Sequence, residues 1–256
     1  MIKRWLLAAC LIAALAVQPV VAGIPTALAF TGTTSLVNVG SAASLDNMTQ
    51  GTTMAWVKLA SAVTAARVWQ KAYLAAHSSF IYFSLNEPGG EMSFQLDKPT
   101  DLAAFGGVSP TVGVWTFVAA QWNINGAATD QKLFSGTLDT PATEVSSYSS
   151  QSAGSGSRTS DAAASLYLGN RQNGSVQLGG SMALVIISKA TLTVDEIRRL
   201  QYQPRPSAVR GCVGFWRPGA YGTGRVFDEC GLNHGTPTAA VPVSDYLPRV
   251  AWRRPT

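Results

Sequence analysis

Apolar side chains recur along the 256 residues in short runs, often at every second position, and Gly, Asn and Pro cut the runs apart about every ten residues. That pattern predicts strands. Ala27 to Gly32 and Ser35 to Gly40 read as two strands about a Gly-Thr-Thr turn, and Thr53 to Lys58 as a third with alternating faces. Val68 to Lys71, Phe80 to Leu85 and Met92 to Leu96 follow, the last two joined by the hairpin composition Asn86-Glu87-Pro88-Gly89-Gly90. Trp115 to Trp122, Leu133 to Gly136 and Ser165 to Leu168 continue the series. Met182 to Ile187 is apolar throughout and rich in branched residues, as a buried strand requires.

A single helix interrupts the strands. Thr193 stands three residues before Glu196, the spacing of a capping box, and Val194, Ile197 and Leu200 share a face until Pro204 forbids another turn. The predicted fold class is all-β: two antiparallel sheets packed as a jelly-roll sandwich, with one short helix near 194–202. Ser146 to Ser160 is nearly all Ser, Gly and Gln, too poor in apolar matter to hold itself down, and reads as a mobile surface loop. After Pro204 the pattern restarts at Cys212 to Trp216, Gly224 to Asp228 and Gly231 to Thr236, with strands expected at Cys212 to Trp216 and Gly235 to Thr238. Residues 241–256 read as an extended, basic Pro- and Arg-containing tail.

Composition adds a setting. Hydrophobic residues make up 46% and charged ones 13%, so Ser, Thr, Asn, Gln and Gly must cover the surface, as suits an extracellular sandwich. The net charge of +5 is uneven: residues 23–197 carry −3, whereas residues 198–256, with nine Arg, carry +6. Lys3 and Arg4 precede the apolar run Trp5 to Val17, and Val20-Val21-Ala22 follows with the small-residue pattern of a cleavage site. Residues 1–22 are therefore expected to be a signal peptide, since the apolar run falls short of the roughly 20 residues that span a bilayer. Leu7-Ala8-Ala9-Cys10 also has the form of a lipobox, but too little apolar sequence precedes Cys10 and too much follows it. The expected location is secreted, periplasmic or cell surface, with the membrane met only during export. Two cysteines then remain, Cys212 and Cys230, and in an exported chain that arithmetic favours one disulfide.

The cadence Leu168-Gly169-Asn170, Gly180, Leu192-Thr193, Glu196-Ile197, Leu200 closely resembles the end of a laminin-G-like domain of the concanavalin A-like lectin and glucanase superfamily. The strands around Phe30, Trp56 and Trp115 are similar to earlier strands of that family and fall in the same order. The run from Cys212 to Thr236 is similar to a segment that normally precedes the family's first strand, yet here it comes last. Either the sandwich is circularly permuted, or a second, truncated copy begins there. No second copy of the Trp56 or Trp115 strands follows, which favours one domain over 24–240.

The resemblance implies a non-catalytic carbohydrate-binding or adhesion module whose partner is an extracellular glycan or a surface protein. It places Trp56, Trp115 and Trp216 in the core. Trp69, Trp122, Tyr148 and Tyr221, near strand ends or loops, are the candidates for stacking on sugar rings. It also implies a rim calcium, for which Asp228 and Asn233 offer oxygens, although an Asx-turn at Asp228 is an equal reading because Glu229 and Cys230 replace the family's small polar residues. Catalysis of the glucanase kind needs paired carboxylates facing one cleft, commonly as Glu-x-Asp-x-x-Glu, and the chain has no such pattern. His77 and His234 are its only histidines, too few to suggest zinc. No aromatic-interleaved basic stripe suggests nucleic acid. The alternative is a structural surface or virion-type assembly subunit that self-assembles through its basic tail; a glycoside hydrolase ranks last.

Overall fold

The computed structural model describes residues 27–72, 80–219 and 224–243. In chain order the strands are β1 (Ala27–Phe30), β2 (Leu36–Gly40), β3 (Gln50–Leu59), β4 (Ala66–Ala72), β5 (Phe80–Glu87), β6 (Glu91–Leu96), β7 (Thr100–Gly106), β8 (Thr116–Asn123), β9 (Lys132–Thr137), β10 (Thr143–Glu144), β11 (Tyr148–Ser155), β12 (Leu166–Leu168) and β13 (Gly180–Ser188). Helix α1 (Val194–Tyr202) follows, then β14 (Cys212–Trp216), β15 (Thr236–Thr238) and β16 (Val241–Val243). The first sheet runs β10-β9-β8-β3-β13-β1-β16, with β14 also on β13, and the second runs β11-β7-β6-β5-β4-β12-β2-β15. Both are antiparallel jelly-roll sheets.

Period-two alternation decides which side chains meet between the sheets. Ile81, Phe83 and Leu85 of β5 and Met92, Phe94 and Leu96 of β6 point inward, against Val118, Ala120 and Trp122 of β8 and Val185 and Ile187 of β13. Phe94 stacks on Trp122 across the gap with ring centres 4.8 Å apart, a contact worth about 1 kcal/mol beyond the area it buries. Trp69 of β4 also crosses the gap, its indole N–H donating to Thr53 Oγ1 of β3 at 2.8 Å. The two sheets are thus joined by hydrogen bonding as well as by apolar packing.

A second apolar layer covers the far side of the first sheet. Trp56, Phe117, Leu184, Ile186 and Phe215 project there, and Ile197 and Leu200 of α1 close over them. The capping box forms: Thr193 Oγ1 accepts the Glu196 N–H at 3.2 Å, and Glu196 Oε2 accepts the Thr193 N–H at 2.7 Å. Trp56 Nε1 donates to the Gln201 carbonyl at 3.1 Å, which fixes the helix to the sheet.

Ser146 to Ser160, read as a mobile loop, instead contributes an edge strand. β11 pairs with β7 from Tyr148↔Gly106 to Ser155↔Thr100. Its backbone ladder to β7 is supplemented by side-chain bonds from Ser149 to Glu91 and from Gln151 to the Gln131 carbonyl. Gly154 shows why its composition suits the place: φ is +65°, and a Cβ there would come within 2.6 Å of the Thr100 carbonyl oxygen. The segments after α1 add to both sheets, β14 to β13, β15 to β2 and β16 to β1. Among the described residues no helix is long and apolar enough to cross a membrane.

Candidate functional site

The same alternation that sends Ile81, Phe83 and Leu85 inward turns Tyr82 and Ser84 out, and on β6 it turns out Ser93 and Gln95. Register then lines these residues up with others from distant parts of the chain. Tyr82 is opposite Gln70 on one side and Gln95 on the other; Gln70 is opposite Tyr167, and Tyr167 opposite Asn38. One row therefore crosses β2, β12, β4, β5 and β6 in the order Asn, Tyr, Gln, Tyr, Gln. At about 4.8 Å per strand the row is roughly 19 Å long, and its two tyrosines stand about 10 Å apart. Asn38 is exposed, Tyr82 and Gln95 are half-buried, and Tyr167 and Gln70, each at 7% exposure, form the floor.

A charged cluster flanks the row and is internally neutralised. The Arg67 guanidinium carbon lies over the Tyr82 ring, 3.7 Å from its centre; Nε donates to Gln70 Oε1 at 3.2 Å, and Nη1 pairs with Glu87 Oε1 at 3.2 Å. Ser84 also donates to Glu87 Oε1, and Ser84 and Ser93 share a hydrogen bond at 2.8 Å. Burial pulls the Arg67 guanidinium down, the Tyr82 and Glu87 charges oppose that shift, and nearby Arg171 reinforces it. Burial likewise pushes the Tyr82 phenol up to about 12, with Arg67 working against the shift and Glu87 and Asp101 adding to it. At neutral pH the row is an uncharged band of phenols and carboxamides, each able to donate and accept.

The residues selected from sequence are placed elsewhere. Trp69 and Trp122 are fully buried between the sheets and cannot stack on a ligand, because their strands turn them inward beside Phe94. Tyr148 is half-buried at the second sheet's edge; its hydroxyl accepts the Leu133 N–H at 2.9 Å and donates to Glu144 at 3.3 Å. Burial pushes that phenol up to about 12, the Leu133 N–H pulling it down and Glu144 raising it. Tyr221, the signal peptide expected over 1–22 and most of the basic tail lie outside the described residues. Cys212 and Cys230 form the expected disulfide.

Asp228 and Asn233 do come together, but as a backbone clasp. Asp228 Oδ1 accepts the N–H groups of Phe215 and Cys230, both at 2.9 Å, and Oδ2 accepts that of Asn233 at 3.2 Å. The Asn233 carboxamide nitrogen donates to Ser44 Oγ at 2.9 Å and the Val213 carbonyl at 2.7 Å. Three N–H groups thus take up three acceptor sites of one carboxylate within the fold, as an Asx-turn does. Among the described residues no group of three or more His, Cys, Asp or Glu could hold a metal ion. Glu87 opposes Glu91 across the β5–β6 hairpin. Asp97 is held above its ordinary range mainly by burial, and then by Asp101.

Comparison with known proteins agrees with this architecture. The family model for the concanavalin A-like lectin/glucanases superfamily, in its laminin G form, matches residues 31–198. Among solved structures, a supposed carbohydrate-binding protein from Bacteroides ovatus aligns with a TM-score of 0.54 at 12% identity, over 84% of this chain and 59% of that one. The chain thus spans little more than half the length of that protein. The LG1-3 region of the laminin α2 chain aligns at 0.48 and 13% identity, over 66% of this chain and 32% of that one. A carbohydrate-binding module of the Ruminococcus gnavus IT-sialidase, solved with α2,3-sialyllactose, aligns at 0.43 and 14% identity, over 64% of this chain and 92% of that one. No curated protein matches the sequence. With the family model covering two thirds of the residues and the two-sheet topology in place, the chain belongs to the concanavalin A-like lectin/glucanases superfamily.

Proposed function

We propose that this chain is a non-catalytic, extracellular carbohydrate-binding module that takes an uncharged, extended glycan across the strands of its second sheet. The observation that carries the reading is the row Asn38, Tyr167, Gln70, Tyr82, Gln95, which sets aromatic rings and carboxamides alternately at one register. Arg67 lies over the Tyr82 ring and Phe80 stacks on it with ring centres 5.4 Å apart, so Tyr82 meets a sugar with its edge and hydroxyl, and a phenol and a carboxamide both suit sugar hydroxyls. Two tyrosines about 10 Å apart match rings separated by one intervening residue of a chain that crosses the strands. The preference for uncharged sugar follows from the flank, where Arg67 is already paired with Glu87. Glu87 is held by Arg67, Ser84 and Ser93 and is not placed to donate a proton, which supports a binding role over a hydrolytic one. The Cys212–Cys230 bond supports an oxidising, extracytoplasmic setting. The supposed role of the Bacteroides ovatus protein points the same way by analogy of fold.

Affinity electrophoresis of the folded chain through gels of neutral and acidic polysaccharides, followed by calorimetry on those that retard it, tests the reading. A neutral glycan is expected to bind, and Tyr82→Ala to weaken it about tenfold, corresponding to about 1.4 kcal/mol. Binding confined to acidic polymers and abolished by salt, or binding indifferent to Tyr82→Ala and Gln95→Ala, would overturn it.

A further inference from the structure

At Asp228 backbone N–H groups take up the carboxylate, whereas elsewhere a protein cation stands among oxygens of the kind a calcium ion uses. Lys71 lies on β4 opposite Leu166 and Ile81, whose side chains belong to the core, so register directs Lys71 inward too. Its side chain has 0% exposure. Taking an ammonium out of water is costly unless oxygens replace the lost hydration. Here they do: Nζ donates to Asp46 Oδ1 at 2.8 Å, to the Asp161 carbonyl at 2.5 Å and to Asp161 Oδ1 at 3.3 Å.

Those oxygens arrive from two separate connections, the one between β2 and β3 and the one between β11 and β12. The connections are also stitched to each other. The Asn47 N–H donates to Asp161 Oδ1 at 2.7 Å, and the Asp161 N–H returns a bond to Asn47 Oδ1 at 3.1 Å. Arg158 pairs with Asp161 Oδ2 and donates to the Met48 carbonyl at 2.9 Å. Asn47 holds the left-handed conformation, φ 49°, within this stitching. Lys71 and Arg158 balance Asp46 and Asp161, and Asp97 adds its charge near Arg158.

Two carboxylates and a backbone carbonyl converging from separate loops on one positive centre form the start of a hard-cation donor set. We propose that Lys71 is a resident cation: it joins the two connections as a bound calcium would, and closes this end of the sandwich without metal. A covalently attached ammonium cannot be lost to a chelator or diluted away. It follows that removing the ammonium leaves an oxygen-lined, negatively charged space that accepts a calcium ion.

The test uses the full chain, with thermal unfolding and tryptic cleavage after Arg158 followed in chelator and in millimolar calcium. Wild type is expected to unfold at the same temperature and to be cleaved at the same rate in both. Lys71→Ala is expected to unfold roughly 10 °C lower in chelator, because Asp46 and the buried Asp161 lose the ammonium that stands between them. It should also be cut after Arg158 at least about tenfold faster, because the connection anchored through Asp161 opens more often. Calcium should restore part of both losses through mass action. A wild-type midpoint that climbs with calcium would overturn the proposal, as would a Lys71→Ala protein equally weak in calcium and in chelator. If Lys71→Ala does not fold, Lys71→Gln, neutral and of similar reach, replaces it under the same two criteria.

Discussion

Replacing Cys212 and Cys230 together by serine should lower the thermal midpoint by about 6 to 12 °C, and the structure supplies the reasoning. The cysteines are 18 residues apart, and in the chain-entropy model closing a loop of that size removes about 3 kcal/mol of conformational freedom from the unfolded chain. For a domain of 150 to 250 residues each kcal/mol moves the midpoint by about 2 to 4 °C. The folded segment has its own fastenings, namely the three N–H groups gathered by Asp228 and the bond from Trp216 Nε1 to the Asn233 carbonyl at 2.7 Å. These survive the substitution, so the folded geometry should persist and the loss should lie in the unfolded state. Calorimetry of wild type, of the double variant and of wild type in reductant provides the assay, with Trp fluorescence reporting Trp216. Reduced wild type should match the double variant. A shift below about 2 °C, or a separate early transition confined to the Trp216 signal, would refute the reasoning, since either would mean that the segment unfolds independently of the sandwich.

Two further outcomes are expected. Tyr82 and Tyr148 both hold their protons up to about 12 in the folded chain against an ordinary 10.0, so the stability linked to them is intact below pH 10 and drains away as pH rises toward 12. Thermal midpoints should therefore fall over that interval, and the fall should be shallower in Tyr82→Phe and Tyr148→Phe; equal slopes would count against the assignment. Trp122 Nε1 is buried without a hydrogen-bond partner, whereas Trp69 Nε1 is bonded to Thr53. Trp122→Phe should accordingly cost about 1 to 2 kcal/mol less than Trp69→Phe in urea unfolding, because only the second leaves a buried hydroxyl short of its donor.

Local patterns in the chain carry the strands and the helix well. Thr193 and Glu196 cap α1 because a capping box needs nothing beyond four consecutive residues. Ile81 to Leu85 and Met92 to Leu96 alternate cleanly, and that alternation already places Tyr82, Ser84, Ser93 and Gln95 opposite the core. Trp122 follows from the same rule, two residues on from the inward Ala120, so its burial is legible in retrospect. Trp69 is not, because a register shift between Arg67 and Trp69 resets which residues of β4 face inward. β11 is hidden for another reason: its Ser and Gly side chains make no apolar pattern, and the β7 ladder that holds it is a property of two segments rather than of one. The row from Asn38 to Gln95 is the hardest case. It depends on β2, β12 and β4 lying side by side, and no local pattern encodes that adjacency.

The pairing of β1 with β16 and of β2 with β15 also bears on how the protein comes into being. Ser35 donates to the Ala239 carbonyl across 204 residues, and β15 lies against β2 at the outer limit of the second sheet. A chain that emerges from a ribosome or a translocation pore in sequence order therefore carries β1 and β2 with one flank bare while nearly everything else is made. Ladders of such long range form slowly, and bare flanks recruit other chains. Completion of both sheets therefore waits on β15 and β16, which bring β2 and β1 their outer partners.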